Sequence, residues 1–179
     1  NKSVINQPFL LFFTRKNQYK DIHSHYSLDD WFVRDEDSNQ FYFYWLSSRY
    51  IQYTCAKWDK DTKNLKDAQI NKFEYYAKRL EIDKSSSGKK LLDLGCGWGG
   101  LMFYLAENFG LDCMGITLST AQADYICKEA KKRKLEKLVK VKNINSLDMS
   151  GTYDYVVSVG LFEHIDDYDD LYKKTSEHL

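Results

Sequence analysis

The chain has 179 residues, and its 26 lysines and arginines balance 26 aspartates and glutamates, so the formal net charge is zero. That length holds one domain with a proper core, and the balanced charge argues against an extended nucleic-acid-binding surface. With 43% apolar residues and a single proline, Pro8, the chain is neither disordered nor collagen-like.

Residues 1–45 are aromatic and irregular. The apolar run at 9–13 is too short to span a bilayer and lacks the flanks of a signal peptide. His23 and His25 have no third ligand in view, so no metal is expected. Residues 35–40 read as a solvated loop, and 41–46 as an aromatic run that packs on the domain or meets an apolar ligand. Leu65, Ala68, Phe73, Tyr76, Ala77 and Leu80 recur at helical spacing and predict an amphipathic helix over 65–82. Residues 84–89 read as a linker. They are not a phosphate-binding loop, because no glycine stands at the required spacing before Gly88-Lys89.

From residue 90 strands and helices alternate: strand 90–94, helix 99–109, strand 112–117, helix 120–134, strands 138–143 and 153–159, helix 167–179. Ser119 caps the helix at 120, with Gln122 placed to complete a capping box. Strand 153–159 is apolar enough to be buried on both faces. Alternating βα units predict an α/β fold, a Rossmann-like doubly wound parallel sheet. The expected division is an N-terminal helical and aromatic cap segment, 1–83, and a ligand-binding domain, 84–179. Four strands are fewer than such a domain usually carries. The sequence therefore reads as a fragment with its C-terminal strands missing.

The strand at 90–94 runs straight into a glycine turn, Leu92-Asp93-Leu94-Gly95-Cys96-Gly97-Trp98-Gly99-Gly100. Glycines there supply positive φ and let the backbone approach a ligand, and the next helix aims its N–H groups at the same spot. Gly95, Gly97 and Gly100 formally satisfy the dinucleotide fingerprint. That fingerprint also wants an acid at the end of the second strand, where this chain has Thr117-Leu118-Ser119 and no carboxylate until Asp124. Asp93-x-Gly95-x-Gly97-x-Gly99 instead resembles the first motif of Rossmann-like S-adenosylmethionine-dependent methyltransferases. A turn of that kind cradles an amino-acid moiety rather than a pyrophosphate. Asp93 then lies near the ligand's ammonium, hydrogen-bonds the turn amides, or does both.

Four blocks read together are similar to the cyclopropane-fatty-acyl-phospholipid synthase family, which includes the mycolic acid cyclopropane synthases. They are Tyr53-Thr54-Cys55-Ala56-Lys57-Trp58, the glycine turn, Gly115-Ile116-Thr117-Leu118-Ser119-x-x-Gln122, and Ser158-Val159-Gly160-Leu161-Phe162-Glu163-His164. His25-Tyr26-Ser27-Leu28 resembles a further block, with Ser27 in place of the usual aspartate. The resemblance implies S-adenosyl-L-methionine as cofactor and a lipid or small-molecule methyl acceptor. It assigns cofactor contacts to Tyr53, Thr54, Asp93, Gly95, Gly97, Thr117, Leu118, Gln122, Asn145 and Ser146. Gln122 takes the ribose contact that an acid makes elsewhere, and Asn145 and Ser146 meet the adenine edge. Catalytic roles fall to Cys55 and Glu163, which with the Val159 backbone match a bicarbonate site. Cys55 is a hydrogen-bond partner there, not a nucleophile.

Plainer readings stand beside these. Cys55 alone suits a small buried hydrophobe. Glu163 suits the first turn of the last helix, and His164 a structural role. The four cysteines, Cys55, Cys96, Cys113 and Cys127, show no paired spacing and read as reduced thiols of a cytoplasmic protein. Lys131-Lys132-Arg133-Lys134 reads as a solvated helix face, or as a peripheral contact with an anionic membrane surface. Residues 115–179 also resemble coclaurine-type amine N-methyltransferases, which need no bicarbonate. A non-catalytic cofactor-binding module is the third reading. The residues name neither acceptor nor oligomeric state.

Overall fold

A computed structural model describes residue 46 and residues 49–179. The readings made for residues 1–45, including the His23/His25 pair, the aromatic runs and the 35–40 insert, lie outside the described residues. In chain order the elements are α1 (Leu65–Arg79), β1 (Lys90–Leu94), α2 (Gly100–Phe109), β2 (Asp112–Thr117), α3 (Thr120–Lys132), β3 (Val139–Asn143), β4 (Tyr155–Ser158) and α4 (Tyr168–Glu177). The four strands are parallel in the order β3-β2-β1-β4.

Period-2 alternation sends β1 side chains to two cores. Leu91, Cys113 and Val139 pack under α1, α2 and α3, against Phe73, Phe103, Leu105 and Ile126. Leu92, Leu94 and Ile116 pack on the other face against Met149 and Leu171 of α4. Helices on both faces of a parallel sheet make this the doubly wound α/β class that the alternation of elements predicts. Because β1 lies between β2 and β4, its C-terminal end and the glycine turn sit mid-sheet.

Several boundaries differ from expectation for local reasons. Helix α1 starts where the Asn64 side chain accepts from the Asp67 amide at 3.0 Å. It stops at Arg79, short of residue 82, because Glu81 turns left-handed (φ 55°). The serine-rich linker is a 3-10 turn capped by Asp83, with Ser86 buried. Helix α3 ends at Lys132, with Lys134 left-handed (φ 59°). The capping box at Ser119 is half formed. Ser119 Oγ accepts from the Gln122 amide, but the Gln122 side chain turns to Thr117 instead.

Two expectations are corrected. Strand β4 meets a core on each face but is fully buried on neither. It pairs only with β1 and its residues are half-buried, because no strand among the described residues covers its outer side. The basic run is not wholly solvated either. Lys131, Lys132 and Lys134 are exposed, but the Arg133 side chain is only 10% exposed. Its guanidinium lies 4.4 Å from the Phe103 ring centroid, donates to Glu129 at 2.7 Å and meets Glu107 at 3.4 Å. Glu107 also accepts both Arg49 contacts at 2.9 Å and the Tyr50 hydroxyl at 2.5 Å. This cluster pins residues 49–51 onto α2, where the Ile51 carbonyl passes over Gly100 too closely for any side chain there.

Candidate active site

The glycine turn is built by one carbonyl. Ile116 O of β2 accepts from both Gly95 N (2.9 Å) and Cys96 N (3.0 Å), and Gly99 N then closes onto Cys96 O at 2.9 Å. The bend puts Gly95 at φ 74° and Gly97 at φ 54°, conformations that L side chains rarely adopt. Gly97 is also a close approach, since a Cβ there would stand 3.4 Å from the Tyr53 ring. The turn thus presents bare backbone to a cleft over the C-terminal strand ends, where ligands of open α/β sheets bind.

Two adjoining compartments flank the turn. One, with about 430 Å³ of open space, is lined by Gln52, Tyr53, Thr54, Tyr76, Asp93 and Trp98 together with Gly95 and Gly97. The other, about 580 Å³, adds Thr117, Leu118, Gln122, Asn145, Ser146 and His164 to the same glycines. Tyr53 borders both. All ten residues expected at the cofactor therefore lie along one cleft.

Asp93 faces the first compartment at 3% exposure. Of its two expected roles, bonding the turn amides is not seen: the Gly95 and Cys96 amides are spent on Ile116 O and the Gly99 amide on Cys96 O. No group among the described residues donates to its carboxylate. Burial without compensation pushes its pKa up to about 7. The arrangement is a carboxylate prepared for a cationic partner.

The second compartment holds a complementary defect. Thr117 Oγ1 accepts from Ser119 N at 3.1 Å and donates to Gln122 Oε1 at 2.6 Å. That fixes the amide with Nε2 turned away, buried and without a partner. Asn145 is partly committed, since its Oδ1 caps the next turn by accepting from Leu147 N at 2.8 Å.

The residues given catalytic roles sit at the rim. Cys55 is exposed, against its reading as a buried hydrophobe. Glu163 is exposed in the 3-10 turn Phe162–His164 rather than in the first turn of α4. Neither lines the two compartments, but Glu163 and Thr54, the neighbour of Cys55, meet at Gly160, which lines both. Gly160 at the end of β4 has Thr54 Cγ2 at 3.1 Å and Glu163 Oε1 at 3.7 Å from where its Cβ would be.

Sequence reasoning missed what supports this edge. Gln69 and Lys72 of α1 are 4% and 3% exposed. Gln69 Nε2 donates to Thr54 O at 3.0 Å, and Lys72 Nζ to Thr54 Oγ1 at 2.8 Å. The signal was present: positions 69 and 72 fall on the same helical stripe as Ala68, Phe73 and Tyr76. Gln52, Tyr76, Trp98 and His164 also line the cleft and were not assigned to it, although Trp98 stands in the glycine turn, His164 in the Phe-Glu-His block and Tyr76 on the helical stripe.

The comparisons with known proteins bear on the same elements. A family model described as mycolic acid cyclopropane synthetase matches residues 13–179. The chain is 37% identical over 116 residues to the cyclopropane-fatty-acyl-phospholipid synthase of Escherichia coli (strain K12), covering 65% of this chain and 28% of that protein. Its fold is similar to mycolic acid cyclopropane synthase CmaA1 complexed with SAH and CTAB, with TM-score 0.68 and 28% identity over 82% of this chain and 47% of that one. It is also similar to coclaurine N-methyltransferase bound to N-methylheliamine and SAH, with TM-score 0.71 and 25% identity over 93% and 50%. The chain thus spans under a third of the length of the curated Escherichia coli relative. With a match that runs through the glycine turn, the Thr54–Cys55 loop and the Glu163 turn alike, this chain belongs to the mycolic acid cyclopropane synthetase family.

Proposed function

We propose that the chain forms part of an S-adenosyl-L-methionine-dependent methyltransferase that transfers a methyl(ene) group to an unsaturated acyl chain of a lipid. One observation carries the reading. The buried Asp93 carboxylate, whose charge no hydrogen bond offsets, and Gln122, whose buried Nε2 has no partner, line different compartments of one cleft on either side of the glycine turn. A ligand that brings an ammonium to one end and hydroxyls to the other satisfies both. S-adenosyl-L-methionine has that layout, and it supplies an electrophilic methyl group on sulfur. A dinucleotide would set a pyrophosphate near the Asp93 carboxylate, where like charges repel.

The chain's own residues then divide the work. Asp93 binds the ammonium, Gln122 the ribose, and Tyr53 packs between the compartments. Thr117, Leu118, Asn145 and Ser146 surround the remaining part. Cys55 and Glu163 face the acceptor side, where the Val159 backbone helps them hold an anion such as bicarbonate. An alkene is a poor nucleophile, so alignment of acceptor and donor matters more than activation. Positive charge that develops on the acyl chain is stabilised by Glu163, by an adjacent anion and by aromatic faces. Exposed Lys131, Lys132 and Lys134 support a peripheral contact with an anionic membrane surface.

The test is incubation of the full-length protein with methyl-labelled cofactor, using vesicles of unsaturated phospholipid, vesicles of saturated phospholipid, and a secondary amine. Label confined to the unsaturated lipid is the expected result, and no label anywhere overturns the reading. Label in the amine alone establishes a second reading, an amine N-methyltransferase, which the likeness to coclaurine N-methyltransferase over 93% of the chain favours.

A further inference from the structure

Helix α1 buries one stripe, Ala68, Gln69, Lys72, Phe73 and Ala77. Two of these five are polar, and one carries a charge. A methionine at position 72 would pack the same stripe without dehydrating an ammonium, a burial that costs free energy when no opposite charge pairs with it. Packing alone therefore gives no reason for the lysine.

Its contacts do. Lys72 Nζ donates to Thr54 Oγ1 at 2.8 Å and approaches Gln52 Oε1 at 3.4 Å, with the Phe73 ring centroid 5.4 Å away. None of these partners is anionic, and no carboxylate among the described residues pairs with it. Thr54 Oγ1 passes its own proton to Gln52 Oε1 at 3.0 Å, so Lys72, Thr54 and Gln52 form a closed triangle. One turn earlier, Gln69 holds the Thr54 carbonyl at 3.0 Å and keeps an unpartnered, buried Oε1. Thr54 is gripped at its hydroxyl and its carbonyl by two buried side chains of one helix. Its neighbour Tyr53 packs on Gly97, and its methyl packs on Gly160. The loop that walls the cleft is thus braced from behind by α1.

We propose that Lys72 is a positioning residue for the transfer site: its ammonium locks Thr54 and Gln52, and through them sets the Tyr53 wall and the Cys55 thiol against the cofactor cleft. The proposal rests on the methyltransferase reading above. Charge-assisted bonds are roughly twice as strong as neutral ones, so the lock is firm only while Lys72 is protonated. Burial lowers its pKa to about 8. The titratable groups around it are Cys55 on the loop, Tyr76 on the same helix and, beyond Tyr76, Asp93 of β1.

The positioning role shows in cofactor affinity, whose pH trend runs opposite to that of stability. The folded protein releases this proton near pH 8 and the unfolded chain near 10.5. Between those values the unfolded state binds more protons, so Lys72 makes the fold more stable as pH rises. Cofactor binding moves the other way, because the lock weakens over the same range.

The experiment measures S-adenosylhomocysteine Kd by calorimetry and the melting temperature from pH 7 to 9.5, in full-length wild type, Lys72→Met and Lys72→Arg. We expect Lys72→Met to melt no lower than wild type at pH 7 and to bind about tenfold more weakly, the loss of one charged hydrogen bond. Wild-type affinity converges on that of Lys72→Met above pH 8. Lys72→Arg keeps most of the affinity and does not converge. The ligand's own amine titrates alike in all three, so differences between the curves isolate Lys72. Equal affinities and parallel pH curves for wild type and Lys72→Met overturn the positioning role alone. Failure of wild type to bind overturns the methyltransferase reading and this proposal with it.

Discussion

The hydroxyl of Thr117 donates to Gln122 Oε1 at 2.6 Å, and that bond decides which end of the amide meets the cleft. With Oε1 engaged, only the Nε2 donor remains, buried and unpaired. An unpaired donor costs the ligand-free protein about 1–3 kcal/mol and is recovered when a hydroxyl arrives. Gln122→Leu should therefore leave the ligand-free stability within about 1 kcal/mol of wild type while weakening S-adenosylhomocysteine binding roughly tenfold or more. Paired urea melts and calorimetric titrations read both numbers. A drop in stability without loss of affinity would remove Gln122 from the site.

Asp93 carries a signed pH dependence. Burial lifts its carboxyl to about 7, against 3.8 in the ordinary state. Between those values the folded protein keeps a proton that the unfolded chain has lost, so stability falls as pH rises from about 4 to about 7. The full effect is on the order of 4 kcal/mol. Asp93→Asn should flatten that slope and be the more stable protein at pH 7.5. A cationic ligand needs the ionised form, so wild-type affinity should fall as pH drops below about 7, and Asp93→Asn should bind weakly at every pH. Urea melts and titrations at pH 5, 6 and 7.5 check both signs.

Gly100 tests the packing of the 49–51 loop. Alanine is preferred to glycine inside a helix by about 1 kcal/mol. A Cβ at the first residue of α2 would nevertheless strike the Ile51 carbonyl oxygen, a backbone atom with little room to yield. The clash outweighs the propensity, and Gly100→Ala should lose about 1–3 kcal/mol. A thermal melt at or above the wild-type temperature would show that the loop moves freely.

Glu107 gathers Arg49, Tyr50 and Arg133 on one carboxylate. Burial alone would raise its pKa, but the bonds from Arg49 and Tyr50 and the charges of Arg49 and Arg133 outweigh that and hold it below the ordinary value. Its contribution is present above the unfolded value of 4.5 and is lost as pH falls through the lower folded value. Glu107→Ala leaves Arg133 its 2.7 Å bond to Glu129 but removes the acceptor of Arg49 and Tyr50, and should cost about 1–3 kcal/mol near neutral pH. The loss should vanish in acid-titrated melts, where wild type and variant converge.

How much of this was legible in the sequence depends on the range of the interactions. The strands and helices from residue 90 onward follow from periodicity, which is local, and the glycine turn from its own spacing. That Asp93 would be left without turn amides could not be read, because the carbonyl that takes them belongs to Ile116, two elements away. Arg133 looked solvated within a basic run, and Phe103 and Glu107, which cover it, lie 30 and 26 residues upstream. Strand β4 was read as doubly buried from composition alone, whereas burial depends on what pairs with it. Gln69 and Lys72 were legible by position and overlooked by residue type, because a stripe is usually traced through its apolar members.

Tyr53 is a party wall: a single side chain lines both the Asp93 chamber and the Gln122 chamber. Whatever occupies either chamber meets that side chain and the same Gly95 and Gly97 backbone, so the halves of the cleft do not fill independently. A small amino-acid fragment and a nucleoside fragment should each bind better in the other's presence, and truncating the ring to alanine should make the two indifferent to one another.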